Sequence, residues 1–201
     1  QAIAGLLKLM ADSQDESTRW RAAESLGKID AGNEQAITGL LNLMADSQDE
    51  DTRWRAAESL GKIGAGNEQA IAGLVNLMAD SQDESTRRRA AESLGKIGAG
   101  NEQAIAGLLN LMADSQDEST RWRAAESLGK IITVDYMSFI IAELKNHSQL
   151  NSDAYKLIWN CAQVLSYHDF YRAWNGKGER GRGSEGVRGG NWMGILTTTN
   201  Y

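Results

Sequence analysis

Apolar residues recur along the chain at the spacing of amphipathic helices. In the opening segment Ala2, Ile3, Leu6, Leu7 and Met10 follow the i, i+3, i+4 pattern and predict a first helix. A second helix is predicted after the polar stretch "ADSQD", running to Ile29. The whole pattern "QAIAGLLKLMADSQDESTRWRAAESLGKI" starts at Gln1 and returns almost unchanged at Gln35, Gln69 and Gln103, a period of 34 residues. Self-similarity at that period is the signature of a helical repeat array, in which each helix pair buries its apolar face only by stacking on its neighbours. The predicted fold is therefore all-α, an α-solenoid of stacked antiparallel helix pairs. Each repeat carries five large aliphatics such as Ile3, Leu6, Leu7, Leu26 and Ile29, each stabilising by about 1.5–3 kcal/mol when buried.

Punctuation supports the same division. Asn33, Asn67 and Asn101, each followed by Glu, are natural caps for the first helix (helix A) of the later repeats. Asp15 is the expected cap of the second helix (helix B), with Ser13 and Glu16 as a competing capping box. Gly64 and Gly98 are expected to stop helix B in a left-handed conformation, while Asp30 and Ile132 replace glycine in the outer repeats. A helical wheel places Thr18, Ala22, Ser25, Leu26 and Ile29 on the buried side of helix B, with Trp20, Glu24, Gly27 and Lys28 nearly opposite.

The expected organisation is four repeats over 1–135, a divergent fifth helical pair over 136–174 acting as a C-terminal cap, and a Gly-rich tail over 175–201. The aromatic residues Tyr136, Phe139, Tyr155 and Trp159 suit a cap that seals the last face of an array. The tail holds too few apolar residues to offset its ordering entropy, so flexibility is expected. Its arginine–glycine pattern also raises single-stranded RNA binding, but from Gly176 onward the net charge is only +2, with one Trp.

Two rows of residues recur with the repeat. One is Asp15 with Arg19, returning as Asp49 with Arg53, Asp83 with Arg87, and Asp117 with Arg121. Read functionally it is an anion-binding row; read structurally, the preferred sense, it is a ladder in which Arg pairs with the Asp of an adjacent repeat and fixes register. The other row is Trp20, Glu24 and Lys28, then Trp54, Glu58 and Lys62, then Arg88, Glu92 and Lys96, then Trp122, Glu126 and Lys130. A position that exchanges Trp for Arg is not core. The row offers flat aromatics and both charge signs, the mixture that anchors peptides or protein loops. Shielding of the array by the Trp rings is the equally open alternative.

Charge and composition narrow the classes. A formal charge of −6 and a pI of about 5.0 argue against a duplex nucleic-acid partner. Cys161 is the only cysteine, which excludes an internal disulfide and fits a reducing, cytoplasmic setting. No apolar run approaches the roughly 18 residues of a membrane span. The chain opens on Gln1 inside a helical pattern, so a larger parent protein is expected, and the uncapped first repeat is a candidate for oligomerisation.

Candidate chemistry is sparse. Cys161, His168 and Asp169 invite a nucleophile reading, but a Cys on an apolar helix is ordinarily packing material, and activation needs a base in hydrogen-bond reach. The other histidine, His147, does not make a metal-binding pair, and no GxxxxGK(S/T) phosphate loop occurs. No cofactor, metal or catalytic residue is expected.

The stretch "DESTRWRAAESLGKIGAGNEQAIAGLLNLM" resembles the HEAT-like repeat named after phycobilin lyases, over residues 1–135. The resemblance implies a HEAT/armadillo-like superhelix whose B helices line the concave surface, and a role in binding proteins. Members of that family usually carry Pro after the capping Asp; this chain has Glu16, Glu50, Glu84 and Glu118 there. The segment "YKLIWNCAQVLSYHDFYRAW" (Tyr155–Trp174) is similar to the end of the array in some cyanobacterial NACHT-type NTPases. Together these imply the partner-binding portion of a larger regulator, with assistance in bilin attachment to phycobiliproteins as the alternative.

Overall fold

The computed structural model describes residues 1–29, 31–146 and 152–175. All regular structure among the described residues is helical. The chain divides into two compact units, Gln1–Ile131 and Ile132–Tyr201. No helix among the described residues is long and apolar enough to cross a membrane.

The N-terminal unit contains four helix pairs: α1 (Ala2–Asp12) with α2 (Glu16–Leu26), α3 (Glu34–Asp46) with α4 (Glu50–Ile63), α5 (Glu68–Asp80) with α6 (Glu84–Ile97), and α7 (Glu102–Asp114) with α8 (Glu118–Ile131). The odd-numbered A helices start where Asn33, Asn67 and Asn101 accept from the backbone N–H of Ala36, Ala70 and Ala104. The B helices start where Asp15, Asp49, Asp83 and Asp117 accept from the N–H of Thr18, Thr52, Thr86 and Thr120. Each cap satisfies an amide that the helix itself leaves unpaired.

Helices of one layer contact their counterparts in the next repeat, and B packs on B more extensively than A on A. The core is a repeating set of Ile37, Leu40, Leu60 and Ile63, all essentially inaccessible, with the paired alanines of each B helix fully buried in the second and third repeats. Small residues set the B–B distance. A Cβ added at Gly61 would lie 2.7 Å from Ser93 Cβ and 3.0 Å from its Cα, and Gly27 and Gly95 meet Ser59 and Ser127 in the same way. Gly27 therefore faces a neighbouring helix and is buried, not outward with Trp20 as the wheel predicts, because adjacent B helices approach over a wider arc than one apolar stripe.

The left-handed glycines also differ from expectation. Gly64 has φ −92° and Gly98 has φ −94°, whereas positive φ falls two residues on, at Gly66 (70°) and Gly100 (67°), and at Gly32 (80°). Those three donate their N–H to the carbonyls of Ile97, Ile131 and Ile63, at the end of the following B helix, so each turn caps its neighbour. Gly64 is small for a separate reason: a Cβ would lie 2.9 Å from that of Ala70. Helix α2 stops at Leu26 rather than Ile29, and the Asp30 that follows lies outside the described residues.

The C-terminal unit has three described helices where the sequence predicts a pair: α9 (Val134–Asn146), α10 (Ser152–Val164) and α11 (Tyr167–Asn175). Helix α9 packs against both others. The core includes Ile140, Ile141, Leu144, Leu157, Ile158, Cys161 and Phe170. The break before α11 arises at Ser166, whose Oγ accepts from Asp169 N–H at 3.2 Å and donates to Asp169 Oδ2 at 2.6 Å. The predicted tail beyond Asn175, and His147, lie outside the described residues.

Candidate functional site

The repeated Asp and Arg do not pair across repeats in the way the sequence suggests. Asp15 is occupied at its own helix, accepting from Thr18 N at 3.0 Å, Thr18 Oγ1 at 2.6 Å and Ser17 Oγ at 2.8 Å. Those bonds, Thr18 foremost, hold its carboxyl below the ordinary value. The same cap lowers Asp117, chiefly through Thr120.

The link between repeats runs through Glu16, Glu50 and Glu84. Oε2 of each accepts from the Thr hydroxyl of the following repeat, at 2.8 Å from Thr52, 2.8 Å from Thr86 and 2.6 Å from Thr120. Ser47, Ser81 and Ser115 approach the same oxygens at 3.3, 3.2 and 3.4 Å. The other oxygen, Oε1, takes the guanidinium of Arg19, Arg53 or Arg87 at 2.5–2.6 Å. Arg19 Nε also donates to Met10 O at 3.0 Å, and Arg121 turns to the carbonyls of Ser115 and Gln116. Arg thus supports the longer carboxylate that reaches across, because an Asp engaged at its own N-cap is too short to do so. The corrected ladder of the described residues is Arg–Glu–Thr, with Asp49 and Asp83 serving as caps.

On the opposite side of the B helices the Trp row is present, and its organising partner is a residue the sequence reading passed over. Arg55 lies over two indoles, 4.0 Å from the Trp20 ring centroid and 4.4 Å from that of Trp54. Arg89 lies over Trp54 at 5.1 Å, Arg21 over Trp20 at 5.3 Å, and Arg123 over Trp122 at 4.9 Å. Arg55 therefore meets the Trp of its own and of the preceding repeat, whereas Arg89 meets only the preceding Trp and Arg21 and Arg123 only their own, all as cation–π contacts. Trp54 Nε1 donates to Asp51 Oδ1 at 3.0 Å. In the third repeat Arg88 takes the Trp position and pairs with Asp117 of the fourth at 3.3 Å. Trp20 and Trp54 are half-buried, whereas Trp122 is 45% exposed.

Below the rings Glu24, Glu58, Glu92 and Glu126 bridge to Lys28, Lys62, Lys96 and Lys130 at 3.2, 3.0, 3.0 and 2.9 Å. Lys28, with Lys62 and Arg55 beyond it, holds the Glu24 carboxyl down. Burial works to raise Glu92, but Lys96, Arg123 and Arg89 together bring it below the ordinary value. Cations of adjacent repeats thus share the carboxylates of this face.

The nucleophile candidates separate. Cys161 is buried in α10, its thiol pushed up to about 12 by desolvation, while His168 lies on α11 and is exposed. No metal-ligating cluster occurs among the described residues.

No curated protein is similar enough to match the chain. Residues 146–175 match the family described as NACHT C-terminal Cysteine and Histidine-containing. A chain of the complex of CpcE and CpcF of phycocyanin lyase from Nostoc sp. PCC7120 is similar in fold, with a TM-score of 0.55 and 24% identity over 87% of this chain. This chain spans 64% of the length of that one. An engineered protein matches with a TM-score of 0.51 and 21% identity, over 87% of this chain and 97% of its own. The HEAT repeats match over residues 3–95, 38–129 and 71–150, in step with the stacked helix pairs, and the chain belongs to the HEAT repeat family.

Proposed function

We propose that the repeat array is a non-catalytic protein-binding scaffold, the partner-binding portion of a larger regulatory protein, and that its partner docks on the B face. The observation that carries this reading is the interleaved stack of Trp20, Arg55, Trp54 and Arg89. It orders large aromatics and guanidiniums, the residue types that dominate binding energy at interfaces, before any partner arrives. The B layer also suits the inner side of a curved array. Its backbones approach through Gly–Ser contacts, whereas the A layer is spaced by Leu7 against Gly39 and Leu41 against Gly73. The row comprises Trp20, Glu24, Lys28, Trp54, Glu58, Lys62, Arg88, Glu92, Lys96, Trp122, Glu126 and Lys130, now extended by Arg21, Arg55, Arg89 and Arg123. Affinity capture from the source cell, comparing the unaltered chain with a Trp54→Ala, Trp122→Ala variant, tests the reading. A partner that is retained equally by both proteins would refute it.

The fold likeness to a phycocyanin lyase chain motivates a second reading, assistance in bilin attachment. Adding bilin and following its absorbance separates the two, because a spectral change is expected only on the second.

A further inference from the structure

We propose that the chain self-associates head to tail, with α8 of one copy stacking on α2 of a second copy as the B helices of adjacent repeats stack within the chain. The proposal stands on the contact between repeats and not on the protein-binding reading above.

That contact joins the same groups each time. The first repeat supplies Glu16, Trp20 and Gly27, which the second meets with Thr52 and Ser47, with Arg55, and with Ser59. The glutamate and glycine contacts return between the second and third repeats and between the third and fourth. With Ala23 these positions are spaced four, three and four apart, so they form one stripe of the helix.

In the fourth repeat the stripe is Glu118, Trp122, Ala125 and Gly129, and it is open. Glu118 and Gly129 are exposed, Trp122 is 45% exposed, and Ala125 is 8% exposed where Ala57 and Ala91 are 0%. Glu118 makes no hydrogen bond or ion pair with any described residue, and Arg121 turns to backbone carbonyls instead.

The complementary surface is open on the first repeat. Ser25 is exposed where Ser59 and Ser93 are 1% exposed, and Thr18 and Ser13 are half-buried where Thr52 and Ser47 are 0% and 3% exposed. Arg21 is exposed and lies over only its own Trp20, whereas Arg55 lies over two rings. Carrying the internal pairing across two copies sets the Glu118 carboxylate on the Thr18 and Ser13 hydroxyls, Trp122 under Arg21, and Gly129 against Ser25. Neither surface suits a copy of itself, because two Glu118 stripes would oppose carboxylates and two Arg21 surfaces would oppose guanidiniums. The contact is therefore head to tail rather than twofold.

On the other layer the match is incomplete. Leu109, which would meet Gly5 as Leu7 meets Gly39, is already buried, and Val134 stands where Gly32, Gly66 and Gly100 make their turn bond. The contact between copies accordingly runs along the B helices and is weaker than one within the chain.

Sedimentation velocity of the full chain, from about 1 μM to about 1 mM, is the test. The mean mass is expected to rise with concentration and to pass that of a dimer. Ser25→Arg and Glu118→Arg, both at exposed positions, are each expected to weaken association at least about tenfold, with circular dichroism confirming that they fold. An equal mixture of these two variants should recover association but stop at a dimer, since only one intact pair of surfaces remains. Trp54→Ala, which lies inside the array, should leave association unchanged, so loss of partner capture and loss of self-association are separable. A mean mass that stays at the monomer throughout, association that survives either arginine variant, or a mixture that remains monomeric overturns the proposal. Loss in Ser25→Arg alone overturns it in favour of a twofold contact between first repeats.

Discussion

Thr52 Oγ1 in the second repeat donates to Glu16 Oε2 in the first at 2.8 Å, and the same oxygen of Thr52 lies 2.7 Å from Asp49 Oδ2, the cap of its own helix. One hydroxyl proton serves one of these carboxylates at a time, and each carboxylate has a second donor: Arg19 pairs with Glu16 from its other side, and Thr52 N–H donates to Asp49 Oδ2 at 2.7 Å. Helix capping and contact between repeats therefore meet at a single buried threonine, 0% exposed.

The equivalent site in the middle of the array gives a direct test. Glu50→Ala removes the acceptor of Thr86 and Ser81 and the partner of Arg53, whose Nε is already buried without a bond. The expected loss is about 1–3 kcal/mol in urea unfolding, the usual cost of leaving part-buried polar groups unpaired. Thr86→Val should cost less, and the double variant should fall short of the sum by about 0.5 kcal/mol or more. Strict additivity would show that Glu50 and Thr86 are independent.

A second expectation concerns the Gly–Ser contact. Gly61→Ala gains about 1 kcal/mol of helix propensity, but its methyl group would meet Ser93 Oγ at 2.6 Å and Cα at 3.0 Å. The Cα cannot rotate away, so the clash prevails and a net loss of about 1–3 kcal/mol is expected. Ser93→Gly in the same chain should recover part of it. Thermal melts of the single and double variants decide the matter; a stabilised Gly61→Ala would show that the B layer can open freely.

How much of this was legible follows from which contacts lie within one helix. Four copies of one pattern made the helices, caps and aliphatic core readable, because a wheel and a period need only local sequence. Glu16 was visible as a first-turn residue standing where related repeats carry Pro, but its bond to Thr52 needs the stacking of the next repeat. Arg55 was passed over because it is adjacent to Trp54 in sequence; its contact with Trp20 belongs to the preceding repeat. Helix α11 had a signal that was missed: Ser166 and Asp169 are the first and fourth residues of "SYHD", a capping box.

The tryptophans should not behave alike. Exposure of the whole row would predict no loss of stability from Trp54→Ala, yet Trp54 is half-buried, has two guanidiniums over it and is bonded to Asp51. At roughly 0.5–1 kcal/mol per cation–π contact, Trp54→Ala is expected to cost about 1–2 kcal/mol. Trp122, with the single contact to Arg123 at 4.9 Å and nearly half its surface open, should cost less, about 0.5–1 kcal/mol. Equal melting temperatures for the two variants would contradict this ordering.

The thiol of Cys161 gives a prediction that separates packing from chemistry. Burial raises it from 9.0 to about 12, so at pH 8 only about one thiol in ten thousand is ionised. A thiol-specific reagent should therefore react with the folded chain at least about a thousandfold more slowly than with the chain in denaturant. The sign of the linkage follows from the same shift. Below pH 9 the thiol is protonated in both states and imposes no penalty. Between 9 and 12 the unfolded chain releases its proton and the folded chain does not, so stability falls as pH rises through that window. Cys161→Ala should remove this dependence while leaving a small cavity, and unfolding measured at pH 8 and at pH 10.5 tests both effects. Rapid modification of the native protein at pH 8 would show instead that α10 exposes its thiol.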